Sequence, residues 1–194
     1  MARANSERKC GGSSDDPGTP GVINPVTCLQ GTGFSNAVWS AHALTGETGM
    51  DEFLAAAIEE ARIGLSEGGI PIGSVLVIDG EIVGRGHNRR VQKQSAILHA
   101  EMDCLENAGR LMAADYRRSL LYSTLSPCDM CSGTALLFGI PKVVIGENHT
   151  FQGPEEYVRS RGVELVIADN LECRQLMEQF IASQPHLWNE DIGE

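Results

Sequence analysis

Three stretches of the 194-residue chain hold residue types that could do chemistry together: His99-Ala100-Glu101, Pro127-Cys128-Asp129-Met130-Cys131, and Asn88 in the segment before them. Imidazole nitrogen and cysteine thiolate are donors suited to tetrahedral zinc. A CxxC pair in the first turn of a helix can turn both sulfurs toward one ion, and the positive end of the helix favours ionised thiols. His99, Cys128 and Cys131 are therefore candidate ligands for one Zn2+ per chain. Three protein ligands leave a fourth position open, the pattern of a catalytic rather than a structural site. Zinc so held would lower the pKa of water enough to make it a nucleophile. Glu101 is the candidate to accept that proton and deliver it later. On an ideal helix, positions two apart diverge, so this role requires a first-turn geometry at His99–Glu101.

The elements that must position these residues follow from periodicity and punctuation. Over Asp51–Ser66, Phe53, Leu54, Ala57, Ile58, Ala61 and Leu65 share one helical face, and Gly68-Gly69 ends the run. Ile72–Ile78 reads as a buried strand, Asp79-Gly80 as a hairpin turn and Glu81–Gly86 as the return strand. A loop over 87–97 leads to a helix over about 98–110. Leu120–Thr124 is a strand, followed by a helix with Ser126 as N-cap and Pro127 at its first position, ending at Gly139. Strands Lys142–Gly146 and Val163–Ala168 and a final amphipathic helix Leu171–Ser183 complete the order. A hairpin followed by alternating strands and helices predicts an α/β fold: a five-stranded mixed sheet covered by helices on both faces.

Composition narrows the function classes. Fifteen Lys and Arg against 26 Asp and Glu give a net charge of −11. Nucleic-acid binding rests on clustered cations, so a nucleic-acid partner is not expected. No run of 18 apolar residues exists, so no membrane-spanning helix is expected. Six cysteines at 10, 28, 104, 128, 131 and 173, with no secretory leader, suit reduced thiols in the cytoplasm, with the nucleus also open to a small protein. Residues 1–49 are rich in Gly, Ser and Pro and poor in periodic apolar residues, the composition of a disordered extension. Residues 50–194, with 12 basic and 22 acidic side chains, have the size of one domain.

H-x-E followed by P-C-x-x-C is the signature of zinc-dependent nucleobase deaminases, in which water replaces an amino group on a ring carbon. Beyond that signature, the core resembles the fungal, yeast-type cytosine deaminases. The resemblance lies in Gly84–Asn88, Leu98–Glu101, Leu105–Arg110, Thr124–Cys131, Gly146–Asn148 and the terminal Glu190–Glu194; it covers essentially all of 50–194 and none of 1–49. It implies the three-layer α/β/α sandwich of the cytidine deaminase-like fold. It also implies hydrolysis of cytosine to uracil and ammonia, and of 5-fluorocytosine to 5-fluorouracil, in pyrimidine salvage. His99, Cys128 and Cys131 would bind zinc and Glu101 would carry the proton. Asn88 would hydrogen-bond the pyrimidine edge, the Ala100 backbone N–H would stay available, and Asp191 would close over the site. Phe151 and Trp188 would pack around the base, Ile72 and Leu125 would line the pocket, and the chain would form a homodimer. These roles fit the chemistry, since a carboxamide both donates and accepts and aromatic faces stack on a planar base. Two departures bear on substrate preference: Ala100 replaces the family's Gly, and Asn189 replaces the Phe expected after Trp188, which predicts a looser lid.

Other readings compete with this one. Cys128 and Cys131 could form a redox pair, or a closed structural zinc site could recruit Cys104 as fourth ligand. Another zinc deaminase, acting on guanine, a nucleoside or adenosine in tRNA, would share the motif; Arg85, Arg89, Arg90 and Lys93 form a local basic loop that an RNA substrate could use. A zinc-binding interaction module would carry the ligands without needing Glu101. Cys104 and Cys173 read as ordinary thiols, His42, His149 and His186 as surface residues and His87 as a loop-packing residue.

Overall fold

The computed structural model describes residues 51–194. The extension expected over 1–49, with Cys10, Cys28 and His42, lies outside the described residues. The first helix, α1 (Glu52–Ser66), starts where the Asp51 carboxylate accepts the Phe53 N–H at 2.9 Å. Strands β1 (Gly73–Ile78) and β2 (Glu81–His87) form the expected hairpin. Its Asp79-Gly80 turn has positive φ at both residues, as a two-residue hairpin turn of this twist requires. Then come α2 (Arg90–Lys93), α3 (Ala100–Ala108), α4 (Ala113–Tyr116), β3 (Ser119–Leu125), α5 (Asp129–Phe138) and β4 (Lys142–Glu147). The chain continues through α6 (Glu155–Ser160), β5 (Glu164–Ile167), α7 (Leu171–Ser183) and α8 (Pro185–Ile192).

The sheet order is β2-β1-β3-β4-β5, with β1 antiparallel to both neighbours and β3, β4 and β5 parallel. One face packs on α1 and α7 through Leu54, Ala57, Ile58 and Cys173 against Val75, Val77, Tyr122 and Val144. The other packs on α3 and α5 through Cys104, Leu105 and Ala135 against Leu76, Leu121, Val143 and Ile145. This is the expected five-stranded mixed sheet with helices on both faces. A third cluster, holding Ile70, Ile72, Ala100, Leu125, Met177, Phe180 and Trp188, closes the end of the sheet where β3 finishes.

Several boundaries differ from the sequence expectation. The segment 87–97 contains the one-turn α2, and the short helices α4 and α6 and the terminal α8 were not anticipated. Ser126 is not the N-cap of α5: Cys128 takes that position, and Ser126 and Pro127 precede the helix. Ser126 instead donates its hydroxyl to Glu155 at 2.9 Å, so a tertiary partner outcompetes the local cap. His87, at the end of β2, sits with its two ring nitrogens 3.2 and 3.1 Å from the Glu60 and Glu67 carboxylates of α1.

The approach of α3 to β2 depends on a missing side chain. A Cβ on Gly86 would lie 2.3 Å from the Cys104 backbone nitrogen. Gly86→Ala must therefore push α3, and the residues at its N-terminus, away from the sheet. Its unfolding free energy in urea should fall by at least ~1–3 kcal/mol; an unchanged denaturation midpoint would show that α3 is not fixed by this contact.

Candidate active site

Two helix starts face each other at the end of the sheet. His99 is the N-cap of α3 and Cys128 the N-cap of α5; both have extended backbone, so their side chains lie beside the first-turn N–H groups. Cys131 follows one turn into α5 and is buried. Cys128 Sγ lies 3.4 Å from His99 Nδ1, and one donor atom from each of His99, Cys128 and Cys131 falls within 4.8 Å of the others. Two ligands bound to one tetrahedral zinc through nitrogen and sulfur stand about 3.6 Å apart by bond lengths alone, so the donor set fits the ion. Among the described residues this is the grouping with metal-ligand geometry. Cys104 does not join it; it is buried against the sheet in the α3 core, which removes the closed four-ligand alternative.

The electrostatics suit metal capture. The hydrogen bond from Cys131 and the neighbouring His99 pull the Cys128 thiol down to about 4, while Cys131, as the donor and in a buried position, is pushed well above the ordinary thiol range. Burial opposes charge on His99, but the Cys128 thiolate and Asp191 outweigh it and raise its pKa. The pair thus offers one thiolate ready to bind and one thiol whose proton must leave as metal enters.

Glu101 stands in the first turn of α3, close to this set, and is 4 % exposed. The required first-turn geometry is met because His99 is a cap outside the helical spiral rather than a residue within it. Burial, followed by the Cys128 thiolate, raises the Glu101 pKa above the usual carboxylate range, as suits a group that takes and returns a proton. Ser123 Oγ donates to its Oε1 at 2.8 Å.

A cavity of about 20 Å3 lies over these groups. Ile72, Leu125, Phe151, Trp188 and Ile192 form its apolar walls, and His99, Glu101, Cys128 and Asp191 its polar side. Phe151 and Trp188 meet edge to face, 6.0 Å between centroids and at 85°. A larger depression of about 680 Å3, bordered by Arg90, Met130, Gln152 and Glu190, adjoins it on the solvent side. Ala100 is fully buried in the same apolar cluster, beneath the wall.

Asn88 and Asp191 are brought together, but Asn88 stands one step behind the cavity. Its Nδ2 donates to both Asp191 oxygens at 2.9 and 3.1 Å, and its Oδ1 accepts the Arg90 N–H at 3.1 Å. Arg90 Nη1 donates to Asp191 Oδ1 at 3.0 Å and to the Glu190 carbonyl at 2.9 Å. Part of the expected basic loop thus holds neighbouring helices: Arg90 pairs with Asp191 of α8, and Arg89 pairs with Asp103 of α3 at 3.3 Å. Asn189 is exposed on α8 and does not line the cavity. Arg90 and Ser123 carry no catalytic motif of their own, and only the fold brings them to the site.

The approach to Cys128 is lashed down from below. Ser126 N donates to the Glu147 carbonyl at 3.0 Å, and Gly153 N donates to Ser126 Oγ at 3.2 Å. A Cβ on Gly153 would fall 1.9 Å from the Pro127 carbonyl oxygen, so this crossing admits glycine alone.

The comparisons with known proteins agree with this geometry. Residues 48–147 match the cytidine and deoxycytidylate deaminase zinc-binding region. The chain is 51 % identical over 142 residues to a cytosine deaminase of Candida albicans, covering 73 % of this chain and 95 % of that protein. It is 43 % identical over 108 residues to a tRNA-specific adenosine deaminase of Streptococcus pyogenes, covering 53 % of this chain and 66 % of that one. In fold it matches a guanine deaminase from Nitrosomonas europaea with a TM-score of 0.57 at 18 % identity, over 71 % of this chain and 87 % of that one. Converging helix N-termini, the donor set and the sequence match together place the chain in the zinc-dependent cytidine and deoxycytidylate deaminase family.

Proposed function

We propose that this protein is a zinc-dependent cytosine deaminase, hydrolysing free cytosine to uracil and ammonia, with 5-fluorocytosine as an alternative substrate. The observation that carries the reading is the small, largely apolar cavity walled by Phe151 and Trp188 directly over the zinc-ligand set and Glu101. A planar single-ring base suits such walls. The deaminase domain is residues 50–194. A polynucleotide substrate would call for phosphate contacts, whereas this domain carries 12 basic against 22 acidic side chains, and Arg90 is committed to Asp191.

His99, Cys128 and Cys131 would hold the zinc ion, which supplies the Lewis acidity that lets water attack at neutral pH. Glu101 takes a proton from the attacking water and passes it to the ring nitrogen, then takes the remaining proton of the added hydroxyl and passes it to the amino group. A carbon–oxygen bond forms, the carbon–nitrogen bond breaks, and ammonia leaves. The Asn88 carboxamide reads the pyrimidine edge by exchanging its bonds to Asp191 for bonds to the base. Asp191 then faces the departing amino group. The cavity is narrow as it stands, and α8, which carries Trp188, Asp191 and Ile192 of its wall, is the element whose displacement would admit the base. With Trp188 and Asp191 both on α8, its return seals the ring from solvent.

Ultraviolet assays with cytosine, cytidine, adenine and guanine as separate substrates test the reading. Cytosine should be converted and cytidine left intact. Glu101→Ala should lower kcat by about 10²–10⁴-fold while zinc content stays at one per chain. Turnover of cytidine or adenine in preference to cytosine would move the substrate elsewhere in the family, and silence with all four would remove the free-base reading.

The ligand set has its own test. In metal-free protein at pH 6, above the Cys128 pKa of about 4, iodoacetamide should label Cys128 first. Cys104 and Cys173, both pushed by burial up to about 12, should stay unlabelled in the folded protein. Zinc should protect Cys128. Peptide mapping that finds Cys104 labelled as fast, or no protection by zinc, would break the assignment.

We further propose a homodimer formed through the face of α3, α4 and α5, in a cytoplasmic enzyme of pyrimidine salvage. Leu137 is 79 % exposed and Met112 73 % exposed there, beside a groove of about 780 Å3 bordered by Met102, Leu111 and Phe138. Large apolar side chains exposed beside a groove are a reason to place an interaction site there. Sedimentation should give twice the 20.9 kDa chain mass, and Leu137→Asp should shift it to the monomer; a monomeric wild-type protein would overturn the proposal.

A further inference from the structure

We propose that Ser123 is the positioning residue that fixes which oxygen of Glu101 carries the proton, a reading that rests on Glu101 as the proton carrier. Ser123 is fully buried, on β3, and its Oγ donates to Glu101 Oε1 at 2.8 Å. Along the face of β3 turned toward α3, the residues are Leu121, Ser123 and Leu125. Leu121 belongs to the core under α3 and α5, and Leu125 to the cavity wall. A single hydroxyl therefore interrupts an apolar row at the place where Glu101 comes down on the sheet. Two neighbouring hydroxyls have other work. Ser74, paired with Ser123 across the strands, donates to the Tyr122 carbonyl at 2.6 Å, and Thr124 accepts the Gly73 N–H at 3.0 Å.

A serine hydroxyl has one proton to give, and here it goes to Oε1. An oxygen that already accepts a hydrogen bond is the weaker base of the two, and the carboxylate can no longer rotate to interchange them. Oε2, which Ser123 does not contact, is then the oxygen available to water and substrate. Proton transfer needs donor and acceptor within about 2.6–3.2 Å, so a carboxylate free to turn would spend part of its time out of reach.

The test compares Ser123→Ala, Ser123→Val and Ser123→Thr in the zinc-loaded enzyme, with Glu101→Gln alongside. Ser123→Ala and Ser123→Val should lower kcat by about 10- to 100-fold, the range for a group that orients a catalytic one, and leave KM and zinc content near wild type. Ser123→Thr keeps the hydroxyl and should restore most of kcat, whereas the Val variant of the same shape should not. An intact kcat in Ser123→Ala, a loss confined to KM, or a Thr variant as impaired as Val would each overturn the proposal. Glu101→Gln separates the two readings: an active Glu101→Gln enzyme would remove Glu101 as proton carrier and this proposal with it. An inactive Glu101→Gln beside a fully active Ser123→Ala would remove the proposal alone.

Discussion

The structure depends on bringing two helix N-termini face to face at one end of a sheet. Each N-terminus leaves backbone N–H groups without intrahelical partners and carries a partial positive charge. Placing His99 and Cys128 at the two cap positions points an imidazole and a thiol at one another, 3.4 Å apart. A cap residue lies outside the helical spiral, so its side chain can meet one from the next turn, as Cys128 meets Cys131. For the same reason Glu101 can approach the site although it is only two residues past His99. The positive end of α5 and the hydrogen bond from Cys131 support a thiolate at Cys128 before any metal enters.

Everything that holds α3 and α5 in place therefore bears on the chemistry. Gly86 lets the α3 backbone rest on β2, and Gly153 lets the loop after β4 cross over Pro127. Glu155, buried at the start of α6, accepts from Ser126, Asn148 and Arg159 and so ties three segments beneath Cys128. His87 plays a comparable part at the other side, joining the end of β2 to Glu60 and Glu67 of α1 next to Asn88. Glu155 and His87 themselves are buried, and there a broken bond leaves an unsatisfied group and costs more than the bond contributes when made.

The zinc set and Glu101 were legible in the sequence because their chemistry is local: a cap His, a CxxC one turn apart and a carboxylate two residues on. The sheet was legible because β1, β3 and β4 are continuous apolar runs bounded by turn residues. Ser126 misled because Ser-Pro before an apolar run reads as a local cap, while its real partner, Glu155, is 29 residues away. The helix α6 went unseen because its six residues bury only Glu155 and Val158. Arg90 and Ser123 belong to no motif; each matters through one hydrogen bond to a residue distant in sequence, Asp191 and Glu101. Asn88 and Asp191 were named through resemblance, but nothing in their spacing of 103 residues announced that they bond to each other.

The terminal helix carries three of the side chains that wall the cavity, Trp188, Asp191 and Ile192. α8 runs for eight residues, about 12 Å. It begins with Pro185, whose fixed φ suits a first helical position, and ends at Gly193 in the left-handed region. Trp188, Asp191 and Ile192 fall three and four residues apart, hence on one face, and that face is the one over the cavity. Asn189 and Glu190 point the other way and are exposed. Opening the wall therefore withdraws the aromatic ring and the carboxylate in one movement. Arg90 opposes that movement by bonding both to Asp191 and to the Glu190 carbonyl. Asn88 holds the same carboxylate through both of its oxygens, so the terminal helix is fastened to the segment after β2 by two neighbouring side chains.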